Sequence, residues 1–136
     1  MKILITGDIH GKLDLLEQVI EKHPDIDYHL NTGDLSISIK DISQNDIIAV
    51  KGNADIYVTL PESRILNIDN EVIYLTHGHI ENVKYGLNKL REKAKLQKAT
   101  ICIFGHTHKP LIELYDDILY LNPGSLKEAQ HLIHIL

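Results

Sequence analysis

Lys2-Ile3-Leu4-Ile5-Thr6-Gly7-Asp8-Ile9-His10-Gly11 opens the chain with an apolar β-type run that stops at a glycine and passes into a loop carrying an acid and an imidazole. The design recurs four times. Tyr28–Asn31 runs into Thr32-Gly33-Asp34, Ile47–Val50 into Lys51-Gly52-Asn53, Val72–Thr76 into His77-Gly78-His79, and Ile101–Phe104 into Gly105-His106-Thr107-His108. Helical spacing lies between these runs. Lys12–His23 sets Leu13, Leu16 and Ile20 three and four apart, Leu15 and Val19 widen the stripe, and Pro24 closes it. Val83–Lys98 reads as a second helix with Val83, Leu87, Leu90 and Ala94 on one face, while Ser36–Asn45 shows a weak helical pattern at best. Arg64–Ile68 and Val72–Thr76 form a hairpin around Asp69-Asn70-Glu71, and Leu111–Tyr115 and Ile118–Leu121 a second around Asp116-Asp117. Asn122-Pro123-Gly124-Ser125 has Pro and Gly where a type II turn wants them. His131–Leu136 reads as a last strand. Strands alternating with helices make an α/β fold, in which the carboxyl ends of the strands gather into one crevice. Side chains at five strand ends, far apart in sequence, should therefore meet.

Composition bounds the rest. A chain of 136 residues fits one domain, taken as 1–136, with no linker or repeat to divide it. Apolar residues at 43% supply a core, so the chain is not a disordered one, and no apolar run reaches a membrane span. The N-terminus turns polar by Thr6, too early for a signal peptide, so the mature protein is expected to begin at Met1. One cysteine, Cys102, excludes an internal disulfide and a cysteine–zinc cluster and points to the cytoplasm. The net charge of −5 and the absence of Trp argue against a nucleic-acid coat or a base-stacking platform. The basic residues Lys84, Lys89, Arg91, Lys93, Lys95 and Lys98 crowd the second helix. They read as a solvated face, with a surface attracting anionic substrates as the sharper alternative.

Taken singly, each strand-end signal is weak: Gly-Asp is usually a turn, and a lone His usually a hydrogen-bonded side chain. The ensemble carries the weight. Asp8 and His10, like His106 and His108, are alternate residues of extended segments and face the same way. With Asp34, Asn53 and His77 they form an oxygen and nitrogen donor set without thiolate, which suits Mn, Fe, Zn or Ni and disfavours Ca. Seven ligands are too many for one ion, so two ions sharing a carboxylate are implied. Paired ions about 3.5–4 Å apart make a clamp for in-line displacement at phosphorus.

These motifs, together with Gly52-Asn53-Ala54-Asp55, Thr76-His77-Gly78-His79 and Asn122-Pro123-Gly124-Ser125, stand in the order found in calcineurin-like metallophosphoesterases. The chain resembles the small single-domain YfcE-like phosphodiesterase branch. That resemblance implies a sandwich of two mixed β-sheets flanked by helices and a dinuclear site binding two divalent transition-metal ions, manganese foremost, with nickel, iron or zinc as alternatives. It implies that Asp8, His10 and His108 hold the first ion, that Asn53, His77 and His106 hold the second, and that Asp34 bridges them. His79 is expected at the phosphate or as a support for a ligand. Asp55 is expected as another support, and Ser125 as part of a turn bracing the His106–His108 loop.

The expected activity is hydrolysis of a small phosphoester, in particular a phosphodiester, by attack of a hydroxide bridging the ions, with Asp34, Asn53 and His79 in the catalytic set. A phosphomonoesterase or nucleotide phosphatase is the enzymatic alternative. A non-catalytic protein-binding scaffold is the other, since a retromer subunit resembles this family; a homo-oligomer is compatible with either. Two departures stand out. Ala54 occupies the position where many relatives in the wider superfamily carry a proton-donating His, although the small branch also lacks it. The segment between Asp34 and Asn53 is short, so the helix expected there is trimmed.

Overall fold

The computed structural model describes residues 1–125 and the backbone of residues 131–134. Among the described residues nine strands form two sheets, accompanied by three α-helices. The first contains β1 (Lys2–Thr6), β2 (Tyr28–Asn31) and β3 (Ile47–Ala49), all parallel, with β9 (His131–His134) antiparallel on the free side of β1, in the order β3-β2-β1-β9. The last two residues of the strand expected over 131–136 lie outside the described residues. The second sheet runs β4-β5-β6-β8-β7. Here β5 (Glu71–Thr76), β6 (Ile101–Ile103) and β8 (Ile118–Asn122) are parallel, and β4 (Ser63–Ile68) and β7 (Leu111–Tyr115) are antiparallel edges. Both sheets are mixed, as the resemblance implies.

The apolar runs are continuous because most of these strands are covered on both faces. In β1, Ile3 and Ile5 point between the sheets and pack with Leu30, Ile73, Leu75, Ile101 and Ile103. Leu4, on the opposite face, packs under α1 (Leu13–Glu21) with Leu16 and Val19. In β6, Ile101 and Ile103 enter the inter-sheet core while Cys102 faces α3 (Asn88–Leu96), beside Leu90 and Ala94. Burial pushes the Cys102 thiol far up, so it is a filler of the core and not a nucleophile.

One helical reading needs correction, and one gains its bounds. The helix read over Val83–Lys98 is broken into a 3-10 turn at Val83–Tyr85 and α3, because Gly86 sits at φ 120°, outside any helix. Its apolar face survives the break, with Val83, Leu90 and Ala94 all buried. In the weak segment Ser36–Asn45 a six-residue helix, α2 (Ile39–Gln44), does form; the Ser38 hydroxyl caps it by accepting the Asp41 amide at 3.1 Å.

A buried polar chain ties β1 to β2. His29 Nε2 meets Thr6 Oγ1 at 2.7 Å, Asn31 Nδ2 donates to the same oxygen at 2.8 Å, and Asn31 Oδ1 accepts the Gly33 amide at 2.8 Å. Burial lowers His29 to about 4, so it is neutral in the folded protein. As pH falls below 6.5 the unfolded chain takes up a proton that the folded chain refuses, and stability drops until about pH 4. The depression corresponds to about 3 kcal/mol. Chemical denaturation of metal-free wild type and His29→Gln across this range should show a pH-dependent loss that is smaller in the variant by about the His29 contribution.

Candidate metal centre

Every strand-end loop singled out in the sequence arrives at one edge of the sandwich. Asp8, His10, Asp34 and Asn53 come from the loops after β1, β2 and β3 of one sheet; His77, His79, His106 and His108 come from the loops after β5 and β6 of the other. One ligand atom from each of Asp8, His10 and His108 lies within 4.8 Å of the others, and the same holds for Asp34, His77 and His106. Each cluster thus draws on both sheets. Asp8, Asp34 and His77 form a buried floor, while His10, Asn53 and His108 stand exposed at the rim.

The chemistry of the donors decides what this pocket fits. His77 Nδ1 contacts the Thr32 carbonyl at 2.7 Å, so that nitrogen donates and Nε2 is left with its lone pair. Nε2 faces Asn53 Oδ1 at 2.9 Å, His106 Nδ1 at 3.1 Å and Asp34 Oδ2 at 3.3 Å. Amide and carboxylate oxygens only accept, so one proton on a ring nitrogen can answer one of these approaches and leaves the others opposed. A cation among the four atoms satisfies them all. On the other side, both Asp8 oxygens are buried without a hydrogen bond, Oδ2 lying against His108 Nε2 and 3.8 Å from His10 Nε2. An orphaned buried carboxylate beside two imidazoles fits a second cation.

Electrostatics agree. Burial raises Asp8 above the ordinary carboxylate range, with His77 and His108 only partly opposing it. Burial also works to raise Asp34, but the His77 contact and the Ala54 amide, which donates to Oδ1 at 2.7 Å, outweigh it and hold Asp34 low. Burial opposes a charged His77, yet Asp34 and then Asp8 lift it above its usual value. His106 falls to about 4 through burial, then His77 and Lys84.

The backbone pays for this convergence in strain. His10 (φ 49°), Asp34 (56°), His106 (70°) and His108 (61°) all adopt the left-handed region. His10→Gly should therefore lose one of the two ions while raising the melting temperature of the metal-free protein by about 2–4 °C, the equivalent of about 0.5–1 kcal/mol of relieved strain. Calorimetry and metal analysis of the one variant check both halves. Glycine is required where loops touch: a Cβ on Gly52 would lie 2.1 Å from Asp34 Oδ1, and one on Gly7 2.1 Å from the Gly124 carbonyl.

The supports are partly those expected. Asp55 accepts the amides of Asp34 and Gly52 at 2.8 Å and of Ser36 at 3.1 Å, stitching the loops after β2 and β3 together. His79 makes no hydrogen bond to a neighbouring imidazole; its ring lies 5.3 Å from His77 and 6.1 Å from His106, with Nδ1 buried and unpartnered. Burial and then His77 lower its pKa. The turn expected to brace the His106–His108 loop does so through Asn122: its Nδ2 donates to the Gly105 carbonyl at 3.2 Å and to Thr107 Oγ1 at 3.0 Å. Sequence reading also passed over Thr32, whose backbone carbonyl fixes His77, and Glu81, which is buried and accepts the Thr76 hydroxyl at 3.0 Å.

Residues 1–135 match the calcineurin-like phosphoesterase superfamily domain. The chain belongs to this superfamily. Phosphodiesterase YfcE of Escherichia coli (strain K12) is 26% identical over 155 residues, spanning 93% of this chain and 79% of that protein. A solved structure of a predicted phosphoesterase from Streptococcus pneumoniae TIGR4 superposes with a TM-score of 0.85 at 33% identity, over 91% of this chain and 72% of the other. Zinc-bound Vps29 from Entamoeba histolytica superposes with a TM-score of 0.77 at 29% identity, over 92% and 74%. Within the superfamily the likeness is to its small YfcE-type phosphodiesterases, as the motifs implied.

Proposed function

We propose that this protein is a dinuclear metal-dependent phosphodiesterase. In this reading Asp8, His10 and His108 hold one ion, Asn53, His77 and His106 hold the other, and Asp34 serves both. The observation that carries it is the meeting of His77 Nε2, Asn53 Oδ1, His106 Nδ1 and Asp34 Oδ2 about a point that no proton can satisfy. Manganese is the proposed metal, and the donor set also accommodates nickel, iron or zinc. No helix among the described residues is long and apolar enough to cross a membrane, and the free Cys102 suits a reducing compartment; the cytoplasm is the proposed location.

When bound, the two ions supply an activated water and offset charge on the phosphoryl oxygens. The chain supplies the rest. The Thr32 carbonyl fixes the tautomer of His77 and aims its Nε2 into the site. The Ala54 amide holds one oxygen of Asp34 and leaves Oδ2 facing His77. The exposed rim of His10, Asn53 and His108 leaves room for an ester to reach the floor.

The proton for the leaving group is the weak point of this arrangement. The Ala54 methyl cannot donate, and His79, with its lowered pKa, is mostly neutral near pH 7. The rate should therefore fall steeply as the leaving-group pKa rises. Ala54→His should flatten that dependence and speed alkyl esters by about 10–100-fold if the ring reaches the leaving oxygen. A graded ester series on wild type, Ala54→His and His79→Ala checks this. A flat wild-type series that His79→Ala makes steep would assign the proton to His79.

The scaffold alternative is separated by turnover, since metal binding alone is common to both. Metal-loaded protein should carry two ions per chain by elemental analysis and hydrolyse diesters faster than monoesters or nucleotides in one panel. Two bound ions without turnover of any ester would favour the scaffold.

A further inference from the structure

A groove of about 580 Å³ opens beside the metal centre, reached over Thr107, the residue between His106 and His108. Its floor is apolar, built by Val83, Leu87 and Phe104, and Lys84 and Lys109 stand on its walls. Among the described residues no acidic side chain lines it, although the chain carries a net charge of −5. Half of the basic stripe seen in the sequence is paired with acids: Arg91 with Glu113 at 3.1 Å, Lys93 with Glu81 at 3.7 Å and Lys95 with Asp116 at 3.8 Å. Lys84 and Lys109 have no acidic partner among the described residues. Two unpaired ammonium groups over an apolar floor, beside a phosphoester site, match a ligand that is apolar in its body and negative at its end. The groove on the other side of the site differs. It is lined by residues 36–39 and 54–58 and presents no cation among the described residues.

We propose that the Lys84–Lys109 groove receives one ester substituent of the substrate, and that this substituent has an apolar body bearing a second anionic group. The inference rests on the phosphodiesterase reading for the place of the phosphorus. It narrows the substrate to an unsymmetrical diester, charged on one arm and uncharged on the other.

The test uses two non-hydrolysable phosphinate analogues of a diester, with both ester oxygens replaced by CH2, on metal-loaded protein; they are identical except that one aryl arm carries a carboxylate at its far end. Titration calorimetry should give about tenfold tighter binding of the carboxylate form at low salt. Lys84→Ala and Lys109→Ala should each lower that ratio about threefold, Lys84→Glu/Lys109→Glu should invert it, and about 0.5 M salt should shrink it. Lys89→Ala, outside the groove, should keep the wild-type ratio. A wild-type ratio near one, or a ratio that the double reversal does not move, overturns the proposal. Turnover of the matching hydrolysable diesters is read in parallel. A tenfold ratio without turnover upholds the groove and removes the catalytic reading, and turnover with a ratio of one does the reverse.

Discussion

Asp34→Ala should abolish binding of both ions and lower diester turnover by at least about 10⁴-fold, or about 5.5 kcal/mol of barrier. Asp34 is buried at the centre of the site, with Oδ2 3.3 Å from His77 Nε2 and Oδ1 held by the Ala54 amide. Among the described residues no other carboxylate belongs to the cluster of His77 and His106. Its loss leaves that cluster without an anion to offset a divalent charge, and removes the group proposed to serve the second ion as well. His10→Ala should behave differently, since His10 is exposed and belongs only to the Asp8 cluster: one ion should remain. The check is elemental analysis after exhaustive loading, beside turnover of an activated aryl diester. If Asp34→Ala retains one ion while His10→Ala loses both, Asp34 does not sit between the sites. In the wild type, metal affinity should also fall as pH drops, because His77 and Asp8, both raised, take up protons at the lone pairs the ions need.

Asp55→Ala should cost about 3–5 kcal/mol of folding stability in the metal-free protein, more than any surface change. Three amides converge on this one buried carboxylate, and two of them belong to Asp34 and Ser36, which are held at φ 56° and 53°. Removing the acceptor orphans the buried donors of Asp34 and Gly52 and frees two strained residues to relax. The loop that carries the Asp34 carboxylate then drifts from His77, so metal affinity should fall although Asp55 touches no ion in the proposed assignment. Asp55→Asn, which keeps one acceptor oxygen, should lose about half as much. Urea unfolding of the three proteins measures the first effect and metal titration the second. A loss below about 1 kcal/mol in Asp55→Ala would mean that the two loops hold their shape without it.

The strands were legible because their signal is local. The five that carry the site are short apolar runs leading into a glycine loop, and a β-sheet core face repeats every second residue, as Ile3 and Ile5 do against Leu4. The turns were legible for the same reason: Asp116 and Asp117 both take positive φ, as a two-residue hairpin demands, and Gly124 does so at φ 74°. The break at Gly86 escaped the periodicity because the apolar face continues through it, so the spacing of Val83, Leu87, Leu90 and Ala94 looks the same with or without a helix at that point. Asn122 escaped because its turn has its own local explanation, and Thr32 because a backbone carbonyl has no residue type to announce it. Glu81 reads as a solvent residue after Ile80; its burial against Thr76 depends on the 3-10 turn folding back over β5.

The sequence by itself determined the kinds of donor and their places at strand ends: carboxylates, an amide and imidazoles beside glycines, with no thiolate among them. It also determined that the chain could bury the apolar strands that carry them. Only the tertiary structure decided which donors share a site. Asp8 and His108, or Asn53 and His77, come from different sheets, and it is the packing of Ile3, Ile5 and Leu30 against Ile73, Leu75 and Ile103 that brings the two sheet edges into register. The tautomer of His77, the grip of Asp55 on two loops and the unpaired lysines of the neighbouring groove belong to the same class. Each is a relation between residues distant in sequence, and such relations exist only once burial of the core has set the distance between them.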